Sequence, residues 1–118
     1  MTITFTLPLH LPSAANVSHF HWAQRHRAVA KMRQDVGLVA QAAGLRPIKG
    51  SVRVTLTRVA PRQLDGHDNL RSAFKAAVDS LAQVMGLKSD RDPRVVWEYA
   101  QERGKPAAVR VEIRSESE

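Results

Sequence analysis

Segments with the apolar spacing of a helix and segments with the apolar spacing of a strand alternate along this chain. The order of these segments limits the folds that the chain can adopt. Residues 18–43 and 69–85 carry apolar side chains every three or four positions, the pattern of a helix with one buried face. Four other segments read as strands, namely residues 2–9, 51–59, 95–101 and 108–113. The order β-α-β-α-β-β predicts an α+β fold. We expect a small four-stranded sheet, antiparallel or mixed with mixed preferred, covered on one face by two helices.

The length of 118 residues is that of one domain, placed at residues 1–114 and followed by a disordered acidic tail at 115–118. No apolar run approaches the ~20 residues of a membrane span, so no membrane partner is expected. The N-terminus lacks the basic start and apolar core of a signal peptide. The chain has no cysteine, which excludes disulfides and thiolate metal sites and fits the expected cytoplasmic location.

The chain is strongly basic, with 18 lysine and arginine residues against 11 acids and a net charge of +7. Such a charge favours a polyanionic partner through long-range attraction, and nucleic acid is the partner that we expect. The first predicted helix is rich in basic side chains that suit either phosphate contact or a solvated helix face. These side chains include His21, Arg25, Arg27 and Lys31.

Acidic residues are concentrated around the second predicted helix. Asp65 and Asp68 lie at its start, and a helical wheel places Asp68, Lys75 and Asp79 on one face. Asp90 or Asp92, in the loop that follows, would bring a third carboxylate. Magnesium prefers such oxygen ligands and neutralises phosphate charge during hydrolysis. A lysine nearby can stabilise charge that develops on the phosphate.

Each of these residues also has an ordinary structural interpretation. Asp68 is a good N-cap for a helix that starts at Asn69. Asp65 and Asp92 precede glycine and proline, as turn residues do. Asp79 is four residues after Lys75 and suits a surface ion pair. The residues alone therefore leave both a metal-dependent nuclease and a set of caps and turns open.

The order of these motifs resembles the RusA family of Holliday junction resolvases, especially versions found in phages and prophages. The matching segments are Asp68-Asn69-Leu70, Lys75 to Asp79, and the acids ahead of Val95-Val96, together with Asn16 and His21-Trp22 near the N-terminus. The resemblance implies a magnesium-dependent endodeoxyribonuclease, with manganese as a possible substitute. It also implies a homodimer that resolves four-way junctions and other branched DNA by paired symmetric nicks, in recombination and repair.

The resemblance also assigns roles to residues of this chain. Asp65, Asp68 and Asp92, with Asp90 as the alternative to Asp92, would be catalytic metal ligands. Lys75 would act at the phosphate. Asp79 and Asn69 would be supporting residues of the site. The residues expected to contact DNA are Asn16, His21, Arg25, Arg27, Lys31, Arg62, Arg71 and Arg91.

The chain departs from the family pattern at the first acid pair. One residue commonly separates the two acids in the family, whereas Gly66 and His67 separate Asp65 from Asp68 here. In some members the lysine also follows one turn sooner, at the place of Ser72. The wider spacing favours a first rival function, a DNA-binding protein that kept the fold without catalysis. A second rival is a basic interaction domain with no role in DNA binding.

Overall fold

A computed structural model describes residues 2–8, 22–64 and 67–116 of the chain, and it confirms the predicted α+β class. Strands and helices follow in the expected order along the described residues. Their bounds are β1 Thr2–Leu7, α1 Trp22–Ala42, β2 Val52–Ala60, α2 His67–Ala73, α3 Lys75–Val84, β3 Val95–Arg103 and β4 Ala108–Ser115.

The four strands form one mixed sheet in the order β1-β4-β2-β3. β4 pairs antiparallel with both β1 and β2, whereas β2 and β3 run parallel. Two parallel strands need a crossover connection, because the chain must return to the end of the sheet where the first strand began before it can start the second. Helices α2 and α3 provide this crossover between Ala60 and Val95. The carboxyl ends of β2 and β3 therefore lie at the same edge of the sheet.

Alternate strand residues build the hydrophobic core, as the period of two requires. Val54 and Leu56 of β2 and Val111 of β4 are fully buried, and they form one cluster with apolar residues of all three helices. The intervening residues of the same strands are charged or contain hydroxyl groups. We call this second surface the polar sheet face, formed by Arg53, Thr55, Glu98, Arg110, Glu112 and Arg114.

The second predicted helix is divided at Phe74, so the described residues form three helices where two were expected. The Phe74 ring is fully buried and stacks on Tyr99, with ring centres 5.8 Å apart and planes inclined by 26°. Its amide donates to the carbonyl of Arg71, a turn rather than an α-helical bond. Neither glycine nor proline marks the break, so the sequence pattern did not reveal it. Lys75 consequently begins a new helix.

Two glycines shape helix α1, one at its end and one where it meets α3. Gly44 adopts a φ of 105° just after the last helical turn, the left-handed conformation that glycine supplies at helix ends. Gly37 does not interrupt α1. A Cβ at this position would lie 3.1 Å from the Ser80 hydroxyl, which donates to the carbonyl of Arg33 at 2.7 Å. Glycine therefore allows α1 to approach α3 closely.

The first two residues of the predicted acidic tail belong to the described structure. Ser115 is the last residue of β4 and pairs with Val52. The Glu116 amide donates to the carbonyl of Ser51, and its carboxylate accepts from Arg53 at 3.0 Å. Residues 115 and 116 are thus held by the strand edge, while 117 and 118 lie outside the described residues. Among the described helices, none is long and apolar enough to span a membrane.

Candidate active site

Lys75 lies between two carboxylates that come from different segments. Its amino group is 3.1 Å from Asp79, one turn further along α3, and 3.1 Å from Asp90, in the loop before β3. Asp79 also accepts from Arg33 of α1 at 3.0 Å. The structure therefore brings together Lys75, Asp79 and Asp90, as the acid-rich pattern suggested.

The electrostatics of this cluster keep the lysine charged. Hydrogen bonds to Asp79 and Asp90 raise the pKa of Lys75 above its ordinary value. The amino group is mostly exposed, so solvent screens these pairs. At neutral pH the site thus presents a fixed positive charge whose position is set by α3 and by the Asp90 loop.

The loop that carries Asp90 is attached to the sheet by an aromatic residue. The indole nitrogen of Trp97, in β3, donates to the main-chain oxygen of Asp90 at 2.9 Å. Within the loop, the Arg91 amide donates to the Ser89 hydroxyl at 3.2 Å. Both bonds engage the peptide group between Asp90 and Arg91, and they leave the Asp90 carboxylate itself for Lys75.

Asp92, only two residues away, has a different environment. One of its carboxylate oxygens accepts from the amide of Arg94 at 2.9 Å and from its guanidinium at 3.1 Å, and the other accepts from the guanidinium at 2.9 Å. These hydrogen bonds hold the pKa of Asp92 below its usual range. Asp92 thus forms the turn into β3. Of the two acids left open by the sequence, Asp90 is the one beside Lys75, and the ligand role of either stays a prediction.

The other predicted metal ligands lie at or beyond the limit of the described part of the chain. Asp65 is outside it. Asp68 and Asn69 occupy α2, but only their backbone is described. Within the described residues, no group of three or more histidine or acidic side chains is close enough to hold a metal ion. The predicted set of Asp65, Asp68 and Asp92 therefore stays a prediction.

The segment that leads to Asp65 is nevertheless well anchored. The Gln101 side chain, near the end of β3, accepts from the amide of Leu64 at 2.8 Å and donates to its carbonyl at 3.0 Å. Arg58, near the end of β2, donates to the carbonyl of Arg62 at 2.8 Å, and burial lowers its pKa. Side chains from both parallel strands thus fix residues 62–64 at the sheet edge where α2 begins.

A cleft surrounds Lys75 and Asp90. A cavity of about 620 Å³ is lined by Arg71, Lys75, Asp90, Arg91, Trp97 and Tyr99. An adjoining hollow of about 500 Å³ shares four of these residues and adds Ser72 and Val78. We call this continuous surface the Lys75 cleft. Two predicted DNA contacts, Arg71 and Arg91, line it.

Two aromatic residues of the cleft, Trp97 and Tyr99, carry no function in the sequence-based prediction. Trp97 and Tyr99 are half-buried and lie on the same side of β3. The guanidinium carbon of Arg71 is 6.0 Å from the centre of the Tyr99 ring. Burial raises the pKa of Tyr99, so its hydroxyl stays protonated at neutral pH. Their position two residues apart beside an acidic loop was the available signal, but only the tertiary structure shows that they share a cavity with Lys75.

Three further predicted DNA contacts have described side chains, and these three lie outside this lining. Arg27 and Lys31 are exposed on α1, where Lys31 pairs with Asp35 at 2.9 Å. Arg62 is exposed in the connector after β2. Arg25 is in α1 with its side chain not described, and Asn16 and His21 fall outside the described residues. Arg33, another basic residue of α1, is joined to the cluster through Asp79.

No protein-family model matches the chain, and no curated protein matches it significantly. The fold and the site by themselves define a class: a small α+β protein with an acid–lysine cluster in a basic cleft at the side of a mixed sheet. A more specific function rests on the motifs and on the chemistry of this cleft.

Proposed function

We propose that this protein is a magnesium-dependent endodeoxyribonuclease that cuts branched DNA, four-way junctions in particular, by paired symmetric nicks in recombination and repair. The observation that carries the proposal is the cluster at Lys75. Two carboxylates hold its amino group, and the surrounding cleft adds Arg71 and Arg91. A basic chain that keeps acids and a lysine together in this way is suited to bind a phosphodiester and to act on it.

The residues proposed as ligands have the chemistry that suits a hard divalent cation. Asp90 presents its carboxylate in the cleft, and Asp68 lies in the helix that leads to Arg71. With Asp65, these are oxygen ligands of the kind that magnesium prefers, and manganese accepts them as well. A bound metal ion would supply charge neutralisation at the phosphate. The Asp92 carboxylate already pairs with Arg94, so Asp92 is less suitable than Asp90 as the third ligand.

The residues of the chain have distinct roles in this scheme. Lys75 would contact a non-bridging oxygen of the bound phosphate and stabilise the charge that develops there. Arg71 and Arg91 would bind neighbouring phosphates along the strand. Asp79 is a positioning residue, since it is held by Arg33 and in turn holds Lys75. A homodimer would place one such site on each of two strands of a two-fold junction.

A cleavage assay tests the proposal directly. A synthetic four-way junction and a linear duplex of the same sequence are incubated with the protein in magnesium or in a chelator. We expect symmetric nicks in the junction alone, and only with the metal. Asp68→Asn should abolish cleavage while junction binding persists. Full cleavage by this variant would exclude Asp68 as an essential ligand, and the absence of nicks with either magnesium or manganese would refute the nuclease function.

A non-catalytic DNA-binding protein is the second candidate. The additional residue between Asp65 and Asp68 favours it, because a ligand pair tuned to one spacing is disturbed by an insertion. This candidate predicts junction binding without nicks in any metal. Absence of binding at moderate salt would instead indicate the third candidate, a basic interaction domain.

A further inference from the structure

The Lys75 cleft combines two kinds of surface that duplex DNA does not use together. Its cations, Arg71, Lys75 and Arg91, suit phosphate groups, which any DNA strand presents. Its aromatic side chains, Trp97 and Tyr99, suit the flat face of a nucleobase. In an intact duplex the base faces are covered by their neighbours in the stack. The aromatic part of the cleft therefore has a partner only where a base has left the stack.

Both aromatic rings are fixed before any ligand arrives. The Trp97 indole is oriented by its hydrogen bond to the main-chain oxygen of Asp90. The Tyr99 ring is stacked on the buried ring of Phe74, and Arg71 lies against it. A surface whose side chains are already immobilised loses little conformational entropy on binding. Both rings are also tied to the elements that carry the acid–lysine cluster, which fixes the distance between base and phosphate sites.

The dimensions of the cleft agree with a single nucleotide. A cavity of about 620 Å³ is within the usual range of roughly 300–1,000 Å³ for small-molecule sites. It is too small for a duplex, and it is lined by both polar and aromatic groups. The cleft thus has room for one base with its sugar and phosphate.

We infer that the Lys75 cleft binds one unstacked nucleotide at the branch point, with its base against Trp97 and Tyr99 and its phosphate at the cations. This inference rests on the proposed function and adds a source of substrate selectivity. Bases at a branch point have already lost part of their stacking, so extruding one costs less there than inside a duplex. In linear DNA the full cost of unstacking a base would have to be met, so a base would rarely enter the cleft.

The first experiment changes the DNA and leaves the protein intact. A series of four-way junctions carries a single abasic site at successive positions from the branch point outward, and affinity is measured in a chelator. We expect the loss of one base at or next to the branch point to weaken binding about tenfold, in keeping with the energy of base–aromatic stacking. Abasic sites further along the arms should have no effect. A flat profile would overturn the inference.

The second experiment tests whether the base removed in the abasic junction is the one that contacts Trp97 and Tyr99. Trp97→Leu and Tyr99→Leu should each bind the intact junction about tenfold more weakly and should lose sensitivity to the abasic site. Additive losses would overturn the inference, since residues that share one contact are non-additive. Val96→Ala is the matched control, because Val96 is exposed on the opposite side of the same strand. Melting curves show whether the variants fold, and the abasic profile of the wild type decides the question if they do not.

A third arm separates a base in DNA from a free nucleotide. Deoxyadenosine 5′-monophosphate is titrated as a competitor of the junction, with wild type and with Trp97→Leu. We expect no displacement at micromolar concentrations. A different result would overturn the inference that the cleft binds a base in DNA. In that result, the free nucleotide displaces the junction at micromolar concentrations, the Trp97 variant loses this displacement, and the abasic profile is flat. Junction cleavage in magnesium and in manganese is measured in parallel. Cleavage together with a flat abasic profile refutes only this inference, whereas the absence of cleavage in both metals refutes the nuclease function.

Discussion

The Lys75 cleft and the polar sheet face are both rich in charge, but they balance it differently. On the polar sheet face, Arg53 pairs with Glu98 and Glu116, while Arg110 pairs with Glu102. In the cleft, neither Arg71 nor Arg91 is ion-paired to a carboxylate within the part of the chain that the structure describes.

This difference shows that net charge alone does not locate a binding surface. An arginine that is paired with a carboxylate attracts a polyanion less strongly than an unpaired one, which can release counterions from DNA. In the cleft Lys75 is itself held by Asp79 and Asp90, so the long-range attraction is expected from Arg71 and Arg91. The comparison therefore favours the cleft as the surface for the proposed DNA binding, and the polar sheet face as a mainly structural surface. Substitutions on the two surfaces test this assignment.

The largest effect is expected from the acid in the cleft. Asp90→Asn should reduce junction cleavage by about 100-fold or more, because it removes the carboxylate that faces Lys75 and the proposed metal. Glu112→Gln, an acid on the polar sheet face, should cleave normally. Initial rates on a labelled junction measure both. Equal rates for the two variants would remove the functional distinction between the surfaces.

The next effect is on binding and its dependence on salt. Arg71→Ala should weaken junction binding about tenfold at moderate salt and lower the slope of log K against log salt by about 0.9, the value for one phosphate contact. Arg110→Ala, with the same loss of charge on the polar sheet face, should change neither quantity. Titrations at several salt concentrations give both numbers. A similar slope change for Arg110→Ala would show that DNA binds both surfaces.

A smaller effect concerns stability rather than activity. Asp92→Asn should lower the melting temperature slightly at neutral pH, because Asp92 binds both the amide and the guanidinium of Arg94. The pKa of Asp92 is held below its ordinary value of 3.8, so its contribution is present above that pH and is lost as the pH falls through the folded-state pKa. The difference between wild type and variant should therefore narrow in acid. Thermal denaturation across pH 2–7 would show it, and a constant difference would contradict this role.

The smallest effect is expected from the paired charges of the polar sheet face. Arg110→Ala should lower the free energy of unfolding by less than about 1 kcal/mol, since exposed ion pairs contribute little. Urea denaturation of wild type and variant measures the difference. A loss several times larger would mean that this network is a major determinant of stability rather than a neutral, solvated surface.

The prediction of the fold succeeded where local spacing decides the structure. Four strands and the first helix follow from periods of two and of three to four residues, and Gly44 ends α1 as its position suggested. The break at Phe74 was missed because its cause is not local. The ring of Phe74 is buried against Tyr99, which is 25 residues later in the chain, and no spacing rule includes such a contact.

The prediction of the site likewise succeeded for local patterns and left open what long-range contacts decide. The grouping of acids around Lys75 was visible in the sequence, and the structure places Lys75 between Asp79 and Asp90. The choice between Asp90 and Asp92 was left open, because the two residues belong to one loop with similar composition. A hydrogen bond from Trp97 directs the first toward Lys75, and Arg94 holds the second.

The sequence by itself determined the order of the elements, the basic charge of the chain and the segments that carry its acids. These properties depend on residue type and on spacing over a few positions. Tertiary structure alone decided the parallel pairing of β2 with β3, the link from Arg33 to Asp79, and the joining of Trp97, Tyr99 and Lys75 in one cleft. The reason is physical: contacts between distant segments depend on how the whole core packs, and each local pattern is compatible with several such arrangements.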